Sequence, residues 1–118
     1  MTILVLGGDG YLGWPLALTL ALHHPSARVV IADNLVRRRQ VAALGGNSIT
    51  PILEPAARLA AAARLAGRAN LDYVDIDVST PALAALVARL RPAVVYHLAP
   101  QASAPYSMAG VDEAVYTL

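Results

Sequence analysis

The run Gly7-Gly8-Asp9-Gly10-Tyr11-Leu12-Gly13 is the first place where residue types and spacing point to chemistry, and Asp33 is the second. The glycines satisfy Gly-x-Gly-x-x-Gly at Gly8, Gly10 and Gly13, and also the spacing Gly7-x-x-Gly10-x-x-Gly13. Bare backbone at such a turn lets a pyrophosphate approach main-chain N–H groups, and a helix opening there adds its partial positive charge. Asp33 follows Gly13 by twenty residues, where a carboxylate accepts a hydrogen bond from a ribose 2′-hydroxyl. Such a charged bond contributes about 1.5–3 kcal/mol. The same carboxylate repels a 2′-phosphate, which favours NAD over NADP. Capping of the helix that follows is the other use an aspartate has at this position.

For the turn and the acid to meet, two strands must deliver them to one edge. The apolar segment Thr2–Leu6 reads as the first strand, Leu12–His23 as a helix stopped by Pro25, and Arg28–Ala32 as the second strand. A helical stretch near Arg37–Leu44 ends at Gly45-Gly46, and Asn47–Ile52 is a loop insertion. Pro55–Ala66 reads as a helix of Ala, Leu and Arg with Gly67 at its end. Leu71–Ile76 is the third strand. Asp77-Val78-Ser79 leads to a helix over Pro81–Leu90, with Ser79 or Thr80 as cap and Pro81 in the first turn. Ala93–Leu98 is the fourth strand, Ala99–Gly110 a long loop and Val111–Leu118 the start of a helix.

This alternation predicts an α/β fold, a Rossmann-like doubly wound parallel sheet in the order 3-2-1-4, with residues 1–118 forming one NAD-binding domain. The fourth strand then lies at an edge although it is as apolar as a central one. Natural sheets rarely leave such an edge bare, so the sequence reads as the amino-terminal portion of something larger. Composition agrees: 57% of residues are hydrophobic and only 14% charged, against about 25% charged in ordinary soluble chains.

A net charge of +1, with Arg37-Arg38-Arg39 as the one local excess, makes a poor nucleic-acid footprint. No stretch has the roughly twenty apolar residues of a membrane span, and no targeting segment precedes the first strand, so a cytoplasmic location is expected. Cysteine is absent, which excludes disulfides and thiolate chemistry, and no His/Asp cluster has metal-ligand spacing. All nine basic residues are arginine. Any mechanism that needs a lysine cannot be completed within this chain.

GGDGYLGW at 7–14, DNLVRR at 33–38, ITPI at 49–52 and SAPYSM at 103–108 followed by AVYT at 114–117 resemble the extended short-chain dehydrogenase/reductase family, the NAD-dependent epimerases and dehydratases of nucleotide sugars. The resemblance implies that Gly7, Gly10, Tyr11, Leu12 and Gly13 hold NAD together with Asp33, Asn34 and Arg37. It places Asp77 and Val78, and Leu98 and Ala99, at adenine- and cofactor-contacting positions. Gln101, Ser103 and Tyr106 would approach the sugar nucleotide. Within the family, the matched segments resemble the branch in which NAD transiently oxidises the glucose ring of UDP-glucose, water is lost, sulfite adds at the terminal carbon and the ring is reduced again. The catalytic Thr, Tyr and Lys of the family would lie beyond Leu118, in a carboxy-terminal half or a partner chain, and the longer protein could be a homodimer.

Two positions depart from the pattern. Ala102 stands where the family carries arginine, and Leu118 where it carries glutamine. Loss of a guanidinium beside an anionic substrate leaves open a relative with another nucleotide sugar, and the high apolar content with its exposed strand edge leaves open a non-catalytic NAD- or nucleotide-sugar-binding module that works with a partner. Among the remaining single residues, Asp9 is expected to turn away from the pyrophosphate and accept backbone N–H bonds. Arg58, on an Ala-rich helix, is expected to face solvent, Arg37 and Arg38 are read equally as a solvated helix face, and His97 as a hydrogen-bonded core histidine. Asp77 is read equally as an adenine ligand and as a turn acceptor before Ser79.

Overall fold

The computed structural model describes residues 1–100. The strands are β1 (Thr2–Leu6), β2 (Arg28–Asp33), β3 (Leu71–Asp75) and β4 (Val94–His97), apolar runs except for β3, which carries Asp72 and Asp75. Between them lie the helices α1 (Gly13–His23), α2 (Val36–Ala43), α3 (Pro55–Ala66) and α4 (Ala82–Leu90). The strands pair in parallel in the order β3-β2-β1-β4, as the sequence pattern predicts. Leu6 is in register with Ala32 on one side and His97 on the other, so the carboxyl ends of β1, β2 and β4 finish at one edge.

Alternation along each strand sends successive side chains to opposite faces. Ile3, Val5, Val29 and Ile31 join Ala17, Leu20 and Ala21 of α1 and Ala62 of α3 in one core cluster. Leu4, Leu6, Val30 and Ala32 join Leu86 of α4 on the other face. Helices on both faces of a parallel sheet explain why β1 and β2 are apolar at nearly every position. The far end of α1 is tied down by side chains from the α3–β3 connection. Arg68 donates to the carbonyls of Ala21 and Leu22 at 3.0 and 2.7 Å, and Asn70 Nδ2 donates to Ala21, His24 and Ala27. These satisfy carbonyls that a helix end leaves without partners.

Several expectations need correction. Neither Ser79 nor Thr80 caps α4. Its N-cap is Pro81, with no side-chain cap bond. Asp77 competes for those groups: its carboxylate accepts from the amide and hydroxyl of Ser79, and its carbonyl accepts from the Thr80 hydroxyl. Nor is His97 a core residue; all four positions of β4 are exposed, with Val94 at 40%, Val95 at 45% and Tyr96 at 37%. The helical stretch after β2 buries none of its residues. The expected loop over 99–110 and helix over 111–118 fall outside the described residues, apart from Ala99 and Pro100. Among the described residues, no helix is long and apolar enough to cross a membrane.

Candidate cofactor site

The glycine turn joins β1 to α1 at the carboxyl edge of the sheet, and its geometry shows why the residues are small. Gly7 has φ +74°, and a Cβ there would lie 2.3 Å from the Leu98 carbonyl oxygen and 2.9 Å from the Ala99 nitrogen. Its backbone therefore sits against the end of β4. A Cβ on Gly13 would lie 2.1 Å from the Gly7 carbonyl oxygen and 2.7 Å from the Gly8 Cα, so the head of α1 rests directly on the turn. Gly8 is bare because Ile31 fills the space behind it. Gly10 differs. The single near atom for a Cβ there is the Gly7 carbonyl oxygen at 3.3 Å. Packing within the chain requires the other three glycines far more than it requires Gly10.

The amides of the turn divide into used and available. Gly7 donates to Ala32, Gly10 to Gly7 and Trp14 to Gly10. Asp9 donates its amide to Asp33 Oδ2 at 3.0 Å, and Pro15 has no amide hydrogen. Tyr11, Leu12 and Gly13 have no backbone or side-chain acceptor among the described residues. These are the amides that the first turn of a helix presents to an anion. Tyr11 and Leu12 are themselves exposed at the mouth of the turn.

Asp33 stands beside this turn. Besides the Asp9 amide on Oδ2, its Oδ1 accepts the Leu35 amide at 2.8 Å. Asp33 is therefore not the cap of α2, whose N-cap is Leu35. Leu35 adopts φ 58°, ψ 21°, a left-handed conformation that costs a non-glycine residue about 1–3 kcal/mol. Two side-chain acceptors hold it there: Asp33 on the Leu35 amide and Asn34 Oδ1 on the Val36 amide. An ionised carboxylate has about four lone-pair positions, so each Asp33 oxygen keeps room for a ligand hydroxyl. Tyr73 on β3 donates its hydroxyl to the Asp33 carbonyl at 2.7 Å. Burial, followed by the charges of Asp75 and Asp33, pushes the Tyr73 phenol up to about 12.

Asn34 and Asp77 come together across the ends of β2 and β3. Hydrogen bonds from the Ser79 hydroxyl and amide, with a smaller share from the Asn34 side chain, hold the Asp77 carboxyl below its ordinary value. The turn-acceptor role read for Asp77 is present, with Oδ1 taking both bonds from Ser79. Val78 and Ala99 pack against the second core cluster and Leu98 against the first. Arg37 is exposed on α2. Gln101, Ser103 and Tyr106 lie outside the described residues.

Sequence reasoning misread the charges around Asp9. Among the described residues its carboxylate accepts no backbone amide; two guanidiniums take it. Arg38 makes a two-pronged contact, Nε to Oδ2 and Nη2 to Oδ1, each at 2.6 Å. Arg58 Nη1 reaches Oδ1 at 2.7 Å. Only 10% of the Asp9 side chain is exposed, 21% of Arg38 and 14% of Arg58. Far from facing solvent, Arg58 lies over the Trp14 ring, 3.9 Å from its centroid. The hydrogen bond to Asp9 raises Arg38 above its ordinary value, whereas burial lowers Arg58. Nothing in local spacing announces these pairs, because the partners are 29 and 49 residues apart.

Two cavities, of about 190 and 350 Å³, lie around α3, against Leu71 and beside Trp14 respectively. Neither opens onto the glycine turn. A ligand held by exposed amides at an open sheet edge needs no enclosed cavity within this part of the chain. Among the described residues no group of His, Asp or Glu could hold a metal ion.

A parallel sheet in the order 3-2-1-4, helices on both faces and a glycine turn at the carboxyl edge define a Rossmann-like doubly wound α/β protein. The chain belongs to the NAD dependent epimerase/dehydratase family, whose model matches residues 3–117. It is 42% identical over 118 residues to a UDP-sulfoquinovose synthase of Sulfolobus acidocaldarius, covering all of this chain and 30% of that protein. Over 115 residues it is 39% identical to the chloroplastic UDP-sulfoquinovose synthase of Spinacia oleracea, covering 98% of this chain and 23% of that protein. The chain thus spans under a third of the length of these relatives. The solved UDP-glucose 4-epimerase of Bifidobacterium longum, in complex with NAD+ and UDP, superposes with a TM-score of 0.65 at 24% identity. That match covers 99% of this chain and 31% of the epimerase and shows the fold. The UDP-glucose-4-epimerase of Stenotrophomonas maltophila superposes at 0.62, with 23% identity over 99% of this chain and 32% of that one.

Proposed function

We propose that this chain is the NAD-binding portion of an enzyme that remodels a nucleotide sugar, with UDP-glucose and sulfite as substrates in the manner the resemblance to UDP-sulfoquinovose synthase implies. The observation that carries the cofactor assignment is the contact between the two halves of the motif. The Asp9 amide of the glycine turn donates to Asp33 Oδ2, so phosphate-binding amides and a ribose-binding carboxylate share one edge. The open space at Gly10 supports the same reading, since a pyrophosphate can approach bare backbone there.

In this assignment Tyr11, Leu12 and Gly13 offer their amides to the pyrophosphate, and Asp33 accepts from the adenosine ribose. Asp77, with Val78 beside it, sits where an adenine amino group would be received, and Asn34 steadies Asp77. Leu98 and Ala99 back the turn at the point where strand order reverses, the usual ligand crevice of such sheets. Gln101, Ser103 and Tyr106 are proposed to approach the sugar nucleotide. Bound NAD supplies a hydride acceptor; this chain supplies its binding and orientation. The substrate assignment rests on the 42% and 39% identities with UDP-sulfoquinovose synthases. Ala102, where the family carries arginine, keeps another nucleotide-sugar substrate as the second reading.

Calorimetric titration of the chain with NAD and with NADP tests the cofactor assignment. Tighter binding of NAD is expected, and in Asp33→Asn the preference should narrow, because the substitution removes both the charged ribose contact and the repulsion of a 2′-phosphate. Equal affinities in the parent chain would refute the role given to Asp33.

A further inference from the structure

Arginines close to the ribose-binding acid are the groups that accept a 2′-phosphate where NADP is the cofactor, and two of this chain's arginines, Arg38 and Arg58, converge on the residue bonded to that acid. Neither is free. Arg38 places Nε and Nη2 on the Asp9 carboxylate at 2.6 Å, adds the Leu53 carbonyl at 3.0 Å and faces Glu54 Oε1 at 3.6 Å. Arg58 is held by the same carboxylate and by the Trp14 ring. Asp9 is also the residue whose amide touches Asp33, so the carboxylate that holds both guanidiniums belongs to the residue hydrogen-bonded to the ribose acid. Arg39, the next arginine along, donates to the Asn34 carbonyl at 2.6 Å.

We infer that Asp9 is a specificity-determining residue: its carboxylate withholds Arg38 from the ribose end of the site, so a dinucleotide carrying a 2′-phosphate meets Asp33 without the Arg38 fork. This rests on the reading of the turn as a dinucleotide site. Discrimination of this kind has two parts, a repulsive acid and the removal of an attractive partner. The two-pronged Arg38–carboxylate pair mimics the contact that a 2′-phosphate would otherwise receive, since guanidinium matches both anions with the same fork. Asp9 also spares the pyrophosphate its own negative charge, because two guanidiniums neutralise it below the turn.

The test is titration of parent, Asp9→Asn, Arg38→Gln and Asp9→Asn/Arg38→Gln with NAD and with NADP. Circular dichroism checks that each variant is folded. In Asp9→Asn the ratio of NADP to NAD affinity should rise by about tenfold, the lower end of one charged hydrogen bond regained, and the double variant should lose that gain. An unchanged ratio in folded Asp9→Asn overturns the proposal, as does a gain that survives in the double variant. Arg38→Gln alone should leave the ratio where it is. A selective loss of NADP binding there means that Arg38 already reaches the phosphate, and decides against the proposal even if Asp9→Asn does not fold. A folded parent that binds neither nucleotide overturns the dinucleotide reading itself, and this inference with it. A parent that binds NAD while the variant ratios stay flat overturns the inference alone.

Discussion

Two single-methyl substitutions in the same turn should have opposite consequences, Gly13→Ala for folding and Gly10→Ala for binding. A Cβ at Gly13 falls 2.1 Å from the Gly7 oxygen and 2.7 Å from the Gly8 Cα, whereas real contacts stay beyond about 3.0 Å. Both obstacles are backbone, so the head of α1 must retreat by about 0.9 Å from a turn that is itself wedged against β4. Overpacking of this kind costs about 1–3 kcal/mol or more. For a domain near 100 residues that corresponds to a fall in melting temperature of roughly 4–20 °C or more. At Gly10 the added methyl meets one oxygen at 3.3 Å. The expected stability change is within about 1 kcal/mol, because the lower unfolded-state entropy of alanine offsets the tight contact. The methyl nevertheless occupies the space proposed for the pyrophosphate, so NAD affinity should fall at least tenfold, about 1.4 kcal/mol. Thermal melting and calorimetric titration of both variants read the two effects separately. Gly10→Ala binding NAD within twofold of the parent would refute the cradle, and Gly13→Ala melting with the parent would refute the packing argument.

Arg58→Ala removes a ring contact and one of two partners of a largely buried carboxylate, so a loss of about 1–3 kcal/mol is expected in denaturant melts; Arg58→Lys should restore only part of it. Tyr73→Phe should cost about 0.5–1.5 kcal/mol at neutral pH through the lost bond to the Asp33 carbonyl. Because the Tyr73 phenol is raised to about 12 in the folded chain, its stabilisation is complete below an unfolded value near 10 and disappears as pH rises through about 12. Melts between pH 9 and 12 should therefore show a decline in the parent that is reduced in Tyr73→Phe. Incubated with NAD, UDP-glucose and sulfite, residues 1–118 should yield no sulfonated sugar by mass spectrometry. Hydride transfer at a hydroxyl needs a base to take its proton, and no lysine is present to lower the pKa of any of the five tyrosines.

The sheet was legible because its signals are local. Apolar runs of four to six residues mark β1, β2 and β4 to within about one or two residues, and β3 is read to the same margin although it carries Asp72 and Asp75. Once the order of elements is known, handedness rules leave few ways to assemble it. Asp33 was legible through its distance from the glycine turn. Caps were less so, since Asp77 draws both Ser79 and Thr80 into its own turn and leaves Pro81 to open α4. The edge place of β4 was legible from the order of elements, but its apolar composition still read as burial, and His97 was misplaced because all four positions of the strand are exposed.

The arginines were hidden for a more instructive reason. An Ala-rich helix bearing Arg58 looks like a solvated rod, yet small side chains are what allow close approach between helices. Ala62 of α3 enters the same core cluster as Ala17, Leu20 and Ala21 of α1, with Leu59 packed beside it. That packing brings Arg58 over Trp14, at the second position of α1, and within reach of Asp9. An acid inside an anion-binding turn looks like a conflict when the motif is read alone. Two guanidiniums directed at one carboxylate offset its charge, so in the proposed assignment Asp9 does not repel a pyrophosphate at the turn amides. The segment between β2 and β3 therefore does more than connect strands: through Arg38 and Arg58 it neutralises the turn and fixes its position.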